Sequence, residues 1–374
     1  PAEWVMGGNH RDAGVFGAVD PNSGTAAMLE TVHGIGSLLK SGWKPKRTLV
    51  FASWDGEEEG LVGSTEYVEQ YSKDLDKAVA YFNIDAGVSG PNFGASAVPS
   101  LKQFVRDVTK AVPSPKGGTL YDTWKTQADT ARRAAAQNPD VQGPAPRRMP
   151  AADSTSEVPV GDLGSGSDYT GFLQHLGVPS TDVATGGPYG VYHSAFDNFA
   201  WFKKFGDPTF VYEQEMARVM GLQMLRMSQA DVLPFDYEQY GKEISNFLVT
   251  AQRRSDAAGW AHEADFAPAL EAAQKLQAAG KALQQFQQTV PQDPAALNAA
   301  LVRAEREMLT EGLPNRPFFR HSIFAPGEFT GYAAVVIPGV NEAIDQKNLS
   351  RLREQLKQLT DAVQRASVLL GSIR

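Results

Sequence analysis

Five acids and two histidines stand where they could do chemistry together. His10 and Asp12 lie in Gly8-Asn9-His10-Arg11-Asp12, and Asp20 opens Asp20-Pro21-Asn22-Ser23-Gly24. Glu57 and Glu58 fall in Trp54-Asp55-Gly56-Glu57-Glu58-Glu59-Gly60, Asp85 closes Asn83-Ile84-Asp85, and His193 stands in Tyr192-His193-Ser194. Imidazoles and carboxylates in such a set suit one or two Zn²⁺ ions with an open position for water. Singly, each has an ordinary explanation: a turn histidine, an N-cap aspartate, a solvated run of glutamates. Adjacent glutamates after a buried strand repel, however, and one pKa rises unless a cation offsets the charge. An acid that ends an apolar strand, as Asp85 does, must also be satisfied by something. Their joint occurrence at strand ends and turns points to a metal site.

The elements that must position these residues are legible as alternating strands and helices up to about residue 233. A strand runs into the turn at Gly7-Gly8, and continuous apolar runs at 47–54 and 78–85 predict buried parallel strands. Helices are expected near 24–42, 64–71, 168–176 and 208–228, with a further short strand after Pro179. Residues 127–157, rich in Pro, Ala and charge, read as a long surface excursion. From Leu233-Pro234-Phe235-Asp236 onward the character is helical, with segments at 257–290, 293–310 and 342–370 and an aromatic, Pro-rich insert beginning Pro314-Asn315-Arg316-Pro317. The fold class is therefore α/β, a mostly parallel sheet flanked by helices, followed by a helical bundle. In such sheets ligands collect at the carboxyl ends of the strands, where these acids and histidines fall.

Composition narrows the chemistry further. The 374 residues contain no cysteine, which excludes disulfides, thiolate metal sites and a cysteine nucleophile. A formal charge of −8 disfavours nucleic-acid binding, which draws on positive charge. No apolar run is long enough to span a membrane, and no basic-then-apolar leader opens the chain. A start in mid-strand at Pro1 is what a processed form or a piece of something longer would show. The sequence lacks a His-Glu-x-x-His zinc motif, a Gly-x-Ser-x-Gly elbow and a Gly-Lys-Ser/Thr phosphate loop.

The strings Gly-Gly-Asn-His-Arg-Asp, Val-Phe-Gly-Ala-Val-Asp-Pro-Asn-Ser-Gly, Phe-Ala-Ser-Trp-Asp-Gly-Glu-Glu, Leu-Gly-Ser-Gly-Ser-Asp-Tyr, Tyr-His-Ser and Arg-Pro-Phe-Phe-Arg-His occur in this order. In them the chain resembles glutamate carboxypeptidase II and its family of co-catalytic zinc exopeptidases, which also includes the transferrin receptor. The likeness runs through nearly the whole chain. It implies a phosphopeptidase-like sheet domain over residues 1–233, lacking its first strands and an apical domain, and a helical dimerisation domain over 234–374.

The resemblance also implies roles. His10 and Asp85 would hold one zinc, Glu58 and His193 a second, and Asp20 would bridge them. Glu57 would be the general base that activates the bridging water, Asp12 the carboxylate that orients His10, and Tyr192 a donor to the oxyanion. Gly166, Ser167 and Tyr332 would border the substrate, and Glu66 and Glu69 match a structural calcium site whose other ligands would lie outside this chain. A peptide substrate, a homodimer and an extracytoplasmic setting (secreted or periplasmic) follow from the same likeness. Departures touch specificity. Residues 92–96 and 181–185 contain no arginine where the carboxypeptidase reads acidic side chains, Gly331 replaces a lysine beside Tyr332, and Gly14 replaces an aromatic residue. A carboxypeptidase is the expected activity, with a di-zinc aminopeptidase or a non-catalytic receptor or scaffold as alternatives.

Overall fold

The computed structural model describes residues 3–137, 157–289, 291–329 and 331–373. The first part contains β1 (Trp4–His10), α1 (Asn22–Lys40), β2 (Thr48–Trp54), α2 (Val62–Gln70), β3 (Ala78–Val88), β4 (Asn92–Ala97), α3 (Pro99–Thr109) and α4 (Leu120–Gln137). It continues with β5 (Ser180–Gly186), the single turn α5 (Phe199–Trp201) and α6 (Val211–Gln229). Then come α7 (Tyr237–Ala257), α8 (Ala267–Thr289), α9 (Ala295–Arg306), a hairpin of β6 (Phe324–Pro326) and β7 (Ala334–Val336), α10 (Pro338–Asp345) and α11 (Leu349–Gly371).

The main sheet has the order β2-β1-β3-β5-β4, with β4 antiparallel to β5 and the other pairings parallel. Its centre is dry. Val5, Met6, Ala80, Tyr81, Phe82 and Ile84 are fully buried, as a parallel strand covered on both faces requires. Alternation along β1 sends Gly7 and Gly8 to opposite faces. A Cβ on Gly7 would lie 2.7 Å from Met220 Cε of α6, so the missing side chain lets that helix seat on the sheet. On the other face a Cβ on Gly8 would meet the Tyr81 hydroxyl at 2.1 Å. There Tyr81 stacks on Phe172 at 4.2 Å, and Trp54 Nε1 donates to the Tyr81 hydroxyl.

The helical part packs as closely. α7 and α8 meet at Gly241 and Gly280, where added Cβ atoms would lie 2.4 and 2.2 Å from main-chain nitrogens of the facing helix. Asp236 caps α7 and Asn348 caps α11 through their side-chain oxygens. Buried Lys102 of α3 joins the two parts, reaching the partly buried Asp162 at 2.8 Å and Glu243 of α7 at 2.7 Å. No helix among the described residues is long and apolar enough to cross a membrane.

Five expectations differ from the structure. The turn expected at Gly7-Gly8 lies inside β1, which runs on to His10, and the helix expected over 257–290 begins only at Ala267. The excursion expected from residue 127 is helical as far as Gln137, because Ala-rich sequence favours helix over loop; its remaining residues, 138–156, lie outside the described set. The helix expected over 168–176 is present over 169–175, but its part from Gly171 to His175 is π-helical. The helix expected over 342–370 is two helices, broken where Lys347 takes a left-handed φ of 53° and Asn348 starts a new cap.

Candidate metal centre

The carboxyl ends of the parallel strands converge as the sequence demands. His10 is the last residue of β1, Glu57 and Glu58 follow β2, Asp85 lies near the end of β3, and His193 lies in the loop after β5. Asp20 comes from the turn that leads into α1.

Two donor sets form, each with ligand atoms within 4.8 Å of one another: His10, Glu57 and Asp85; and Asp20, Glu58 and His193. His10 Nε2 lies 2.9 Å from Asp85 Oδ1 and 3.3 Å from Asp20 Oδ1. His193 Nε2 lies 3.0 Å from Glu58 Oε2 and 3.2 Å from Asp20 Oδ2. Asp20 thus presents one oxygen to each histidine, and its Oδ1 is buried against His10. Glu57 Oε2 stands 3.9 Å from His10 Nε2, on the Asp85 side.

Local structure explains these positions. Gly56, with φ of +69°, allows the turn after β2, which closes through Gly60 and Leu61 amides donating to the Glu57 carbonyl. Asn9 Nδ2 donates to the carbonyls of Ile84 and Asp85, locking the end of β1 to that of β3. His193 takes φ of +52°, a conformation that costs energy for a non-glycine residue and collects at functional sites. Asp12 acts differently from the expectation. Its main-chain oxygen is the nearer partner of His10 Nδ1, at 3.0 Å against 3.5 Å for its carboxylate, while Oδ2 accepts the Glu58 amide. Gly14 donates its amide to Glu58 Oε1, so this turn is pinned to a candidate ligand without an aromatic side chain.

The electrostatics call for a cation. With Nδ1–H donating to the Asp12 carbonyl, the Nε2 lone pair of His10 faces carboxylate oxygens, a juxtaposition that needs a proton or a metal between them. Burial pulls the His10 pKa down, but hydrogen bonds to Asp20 and Asp85 and the charges of Asp85 and Glu57 push it up to about 11. Burial, then the charge of Asp85, raises Glu57 to about 9. Asp20 is raised by burial and by the charges of Asp85 and Glu58, against its hydrogen bond to His10. Burial raises the Tyr192 hydroxyl, as does its bond with Tyr332, so it stays a neutral donor. Nitrogen and oxygen donors around an unmet negative charge fit zinc.

The substrate-side expectations divide. Tyr192 and Tyr332 are exposed and their hydroxyls are 3.5 Å apart. Gly166 packs on the Tyr332 ring, where a Cβ would lie 3.0 Å from a ring carbon. Ser167 is fully buried and its Oγ accepts from Asn83, so its side chain faces the core. Glu66 and Glu69 lie exposed on α2 and belong to neither donor set.

One residue of the site escapes sequence reading. Asp197 is buried, with Oδ1 accepting the Val19 amide at 2.6 Å and Oδ2 the Asp20 amide at 3.0 Å. It sets the main chain that carries Asp20. The signal available was an acid four residues after His193, which by itself reads as a turn residue.

The sequence from 2 to 205 matches the family model for peptidase family M28. The chain belongs to peptidase family M28. Residues 264–371 of this M28 chain match a transferrin receptor-like dimerisation domain. A probable glutamate carboxypeptidase of Arabidopsis thaliana is 36% identical over 383 residues, covering 99% of this chain and 52% of the relative. Aminopeptidase NAALADL1 of Rattus norvegicus is 35% identical over 346 residues, covering 87% and 44%. A solved peptidase M28 precursor from Shewanella amazonensis is 20% identical, covering 62% of this chain and 43% of that one, with a TM-score of 0.38. The M28 chain spans about half the length of the curated relatives it matches.

Proposed function

We propose that this M28 chain is the catalytic part of a zinc-dependent exopeptidase of the glutamate carboxypeptidase type. The observation that carries this reading is Asp20, which turns one oxygen to His10 and the other to His193. In the proposal His10 and Asp85 hold one ion, Glu58 and His193 a second, and Asp20 is shared. Bound there, zinc supplies Lewis-acid polarisation of the scissile carbonyl and lowers the pKa of water.

The remaining roles belong to the chain's own side chains. Glu57 is the general base: its carboxylate belongs to the set with His10 and Asp85 but stands 3.9 Å from His10 Nε2, farther than Asp85 and Asp20, and burial fits it to take and return a proton. It accepts the proton of the attacking water and delivers it to the leaving amine. Tyr192 donates to the oxygen that gains charge as the carbonyl becomes tetrahedral. Tyr332 and the main chain at Gly166 border the substrate. Asp12, through its carbonyl, holds His10 with Nε2 toward the site.

Residues 1–233 form the peptidase domain in this reading, and 234–374 a helical domain through which two copies pair. The aminopeptidase reading has its own support. No arginine occurs in 92–96 or 181–185, and Gly331 stands beside Tyr332, so the chain offers no cation at the positions where the carboxypeptidase reads an acid. Elemental analysis for two zinc ions per chain, with hydrolysis of N-acetylated against C-amidated dipeptides, tests both. Cleavage of only the N-acetylated peptide supports the carboxypeptidase, and cleavage of only the C-amidated one the aminopeptidase. Zinc-free, inactive protein after incubation with excess zinc would refute the proposal.

A further inference from the structure

The motif Arg316-Pro317-Phe318-Phe319-Arg320-His321 has no part in the chemistry above, yet it leads back to the substrate side of the site. The amides of Arg320 and His321 both donate to the carbonyl of Gln174, at 2.8 and 3.0 Å. His321 is fixed in turn. Its Nδ1 accepts the Ile323 and Phe324 amides, so its Nε2 carries the proton and donates to Glu305, with all four residues buried from solvent.

Gln174 is fully buried in the π-helical turn, a form of helix that recurs at functional sites. Its side-chain Nε2 donates to the carbonyl of Gly164, while its Oε1 has no partner among the described residues. Gly164 begins the short loop that meets Tyr332. A Cβ there would lie 2.1 Å from the Tyr332 carbonyl oxygen, the Ser165 amide donates to that same oxygen at 3.2 Å, and Gly166 lies under the tyrosine ring. Tyr332 in turn reaches the Tyr192 hydroxyl.

We propose that Gln174 is a positioning residue for substrate binding: its amide holds the 164–166 loop, and that loop holds Tyr332 against the site. The carbonyl of Gln174 is clamped by the helical part, so the geometry of the substrate border is set there. This rests on the exopeptidase reading for its effect on kinetics, though not for its effect on the loop.

The test uses Gln174→Met, which keeps length and volume and removes the donor, in the intact zinc-loaded chain. Hydrogen exchange at the Ser165 amide reads the loop directly and is expected to quicken about tenfold, the change that follows when a buried carbonyl loses its donor. With whichever dipeptide the wild type cleaves, KM is expected to rise about tenfold while kcat changes less than about threefold and zinc content stays constant. In a Tyr332→Ala background the same substitution is expected to change KM little, because the two act in series. Should Gln174→Met not fold, Gln174→Leu removes the donor at a similar volume, with the same expected shifts. Unchanged exchange at Ser165, or additive effects in the double variant, would overturn the proposal. A wild type that cleaves no peptide refutes the exopeptidase reading alone, since the exchange measurement still decides the role of Gln174.

Discussion

Gly24 lies against the main-chain oxygen of Asp85 so closely that a Cβ would be 2.0 Å from it. The start of α1, which follows the Asp20 turn, and the end of β3, which carries Asp85, are therefore set relative to each other by a missing side chain. Gly24→Ala is expected to force them apart, lowering stability by about 1–3 kcal/mol as overpacking does. Zinc content should fall with it. A thermal melt and elemental analysis of the same sample check both, and full zinc occupancy at an unaltered Tm would show that the contact yields freely.

Glu57→Gln separates chemistry from metal binding. The amide keeps the volume of the carboxylate and cannot take a proton, so the rate is expected to fall on the order of 10²–10⁴-fold. Zinc uptake should persist, because Asp20, Asp85, Glu58 and both histidines remain. Steady-state kinetics with metal analysis give the result. Undiminished activity would remove Glu57 from the mechanism.

Removing the metal is expected to make stability depend on pH with a definite sign. Glu57 is raised to about 9 in the metal-free fold, so the folded state holds a proton that the unfolded chain releases. That contribution is lost as pH rises from the ordinary glutamate range through about 9. His10, raised to about 11, stabilises the metal-free fold fully below the usual histidine value, and that stabilisation declines as pH rises towards 11. Both act in one direction, so chelated protein should melt lower at pH 9 than at pH 6. Added zinc takes the place of those protons, and its gain in Tm should be larger at pH 9.

Glu213 provides a control outside the two candidate donor sets. It is buried on α6 with Oε2 unpartnered among the described residues, and burial, followed by the Asp207 charge, raises it to about 8. The wild type should therefore lose stability between the ordinary glutamate range and about pH 8. Glu213→Gln is expected to melt higher than wild type at pH 8.5, by about 1–3 kcal/mol, and to differ little at pH 4.5. Denaturation at the two pH values measures the difference.

Much of this architecture is written locally. The apolar runs that form β2 and β3 and the acids at strand ends follow from patterns within a few residues of each other. What escaped depends on contacts made far along the chain. β4 is short and holds Gly94, Ala95 and Ser96, so only its pairing with β5 makes it a strand. Asp197 has no local signature, and its role exists only once Val19 and Asp20 present their amides to it. Ser167 shares a loop with Gly166, yet Asn83 draws its hydroxyl inward while Gly166 stays beside Tyr332. The residues of the two candidate donor sets were legible because ordered multi-residue strings surround them.

Asp20 and His193 are separated by most of the sheet in sequence, and His10 meets Asp85 across 75 residues. Each proposed ion therefore closes a long loop of chain, and no stretch of the unfolded polypeptide holds a complete donor set. Topologies dominated by such distant pairings fold slowly, since loop closure precedes any reward from contact. Zinc should thus arrive late, after the strands are in register, and act as a latch on a finished sheet. It would slow unfolding while leaving the rate of early collapse unaltered.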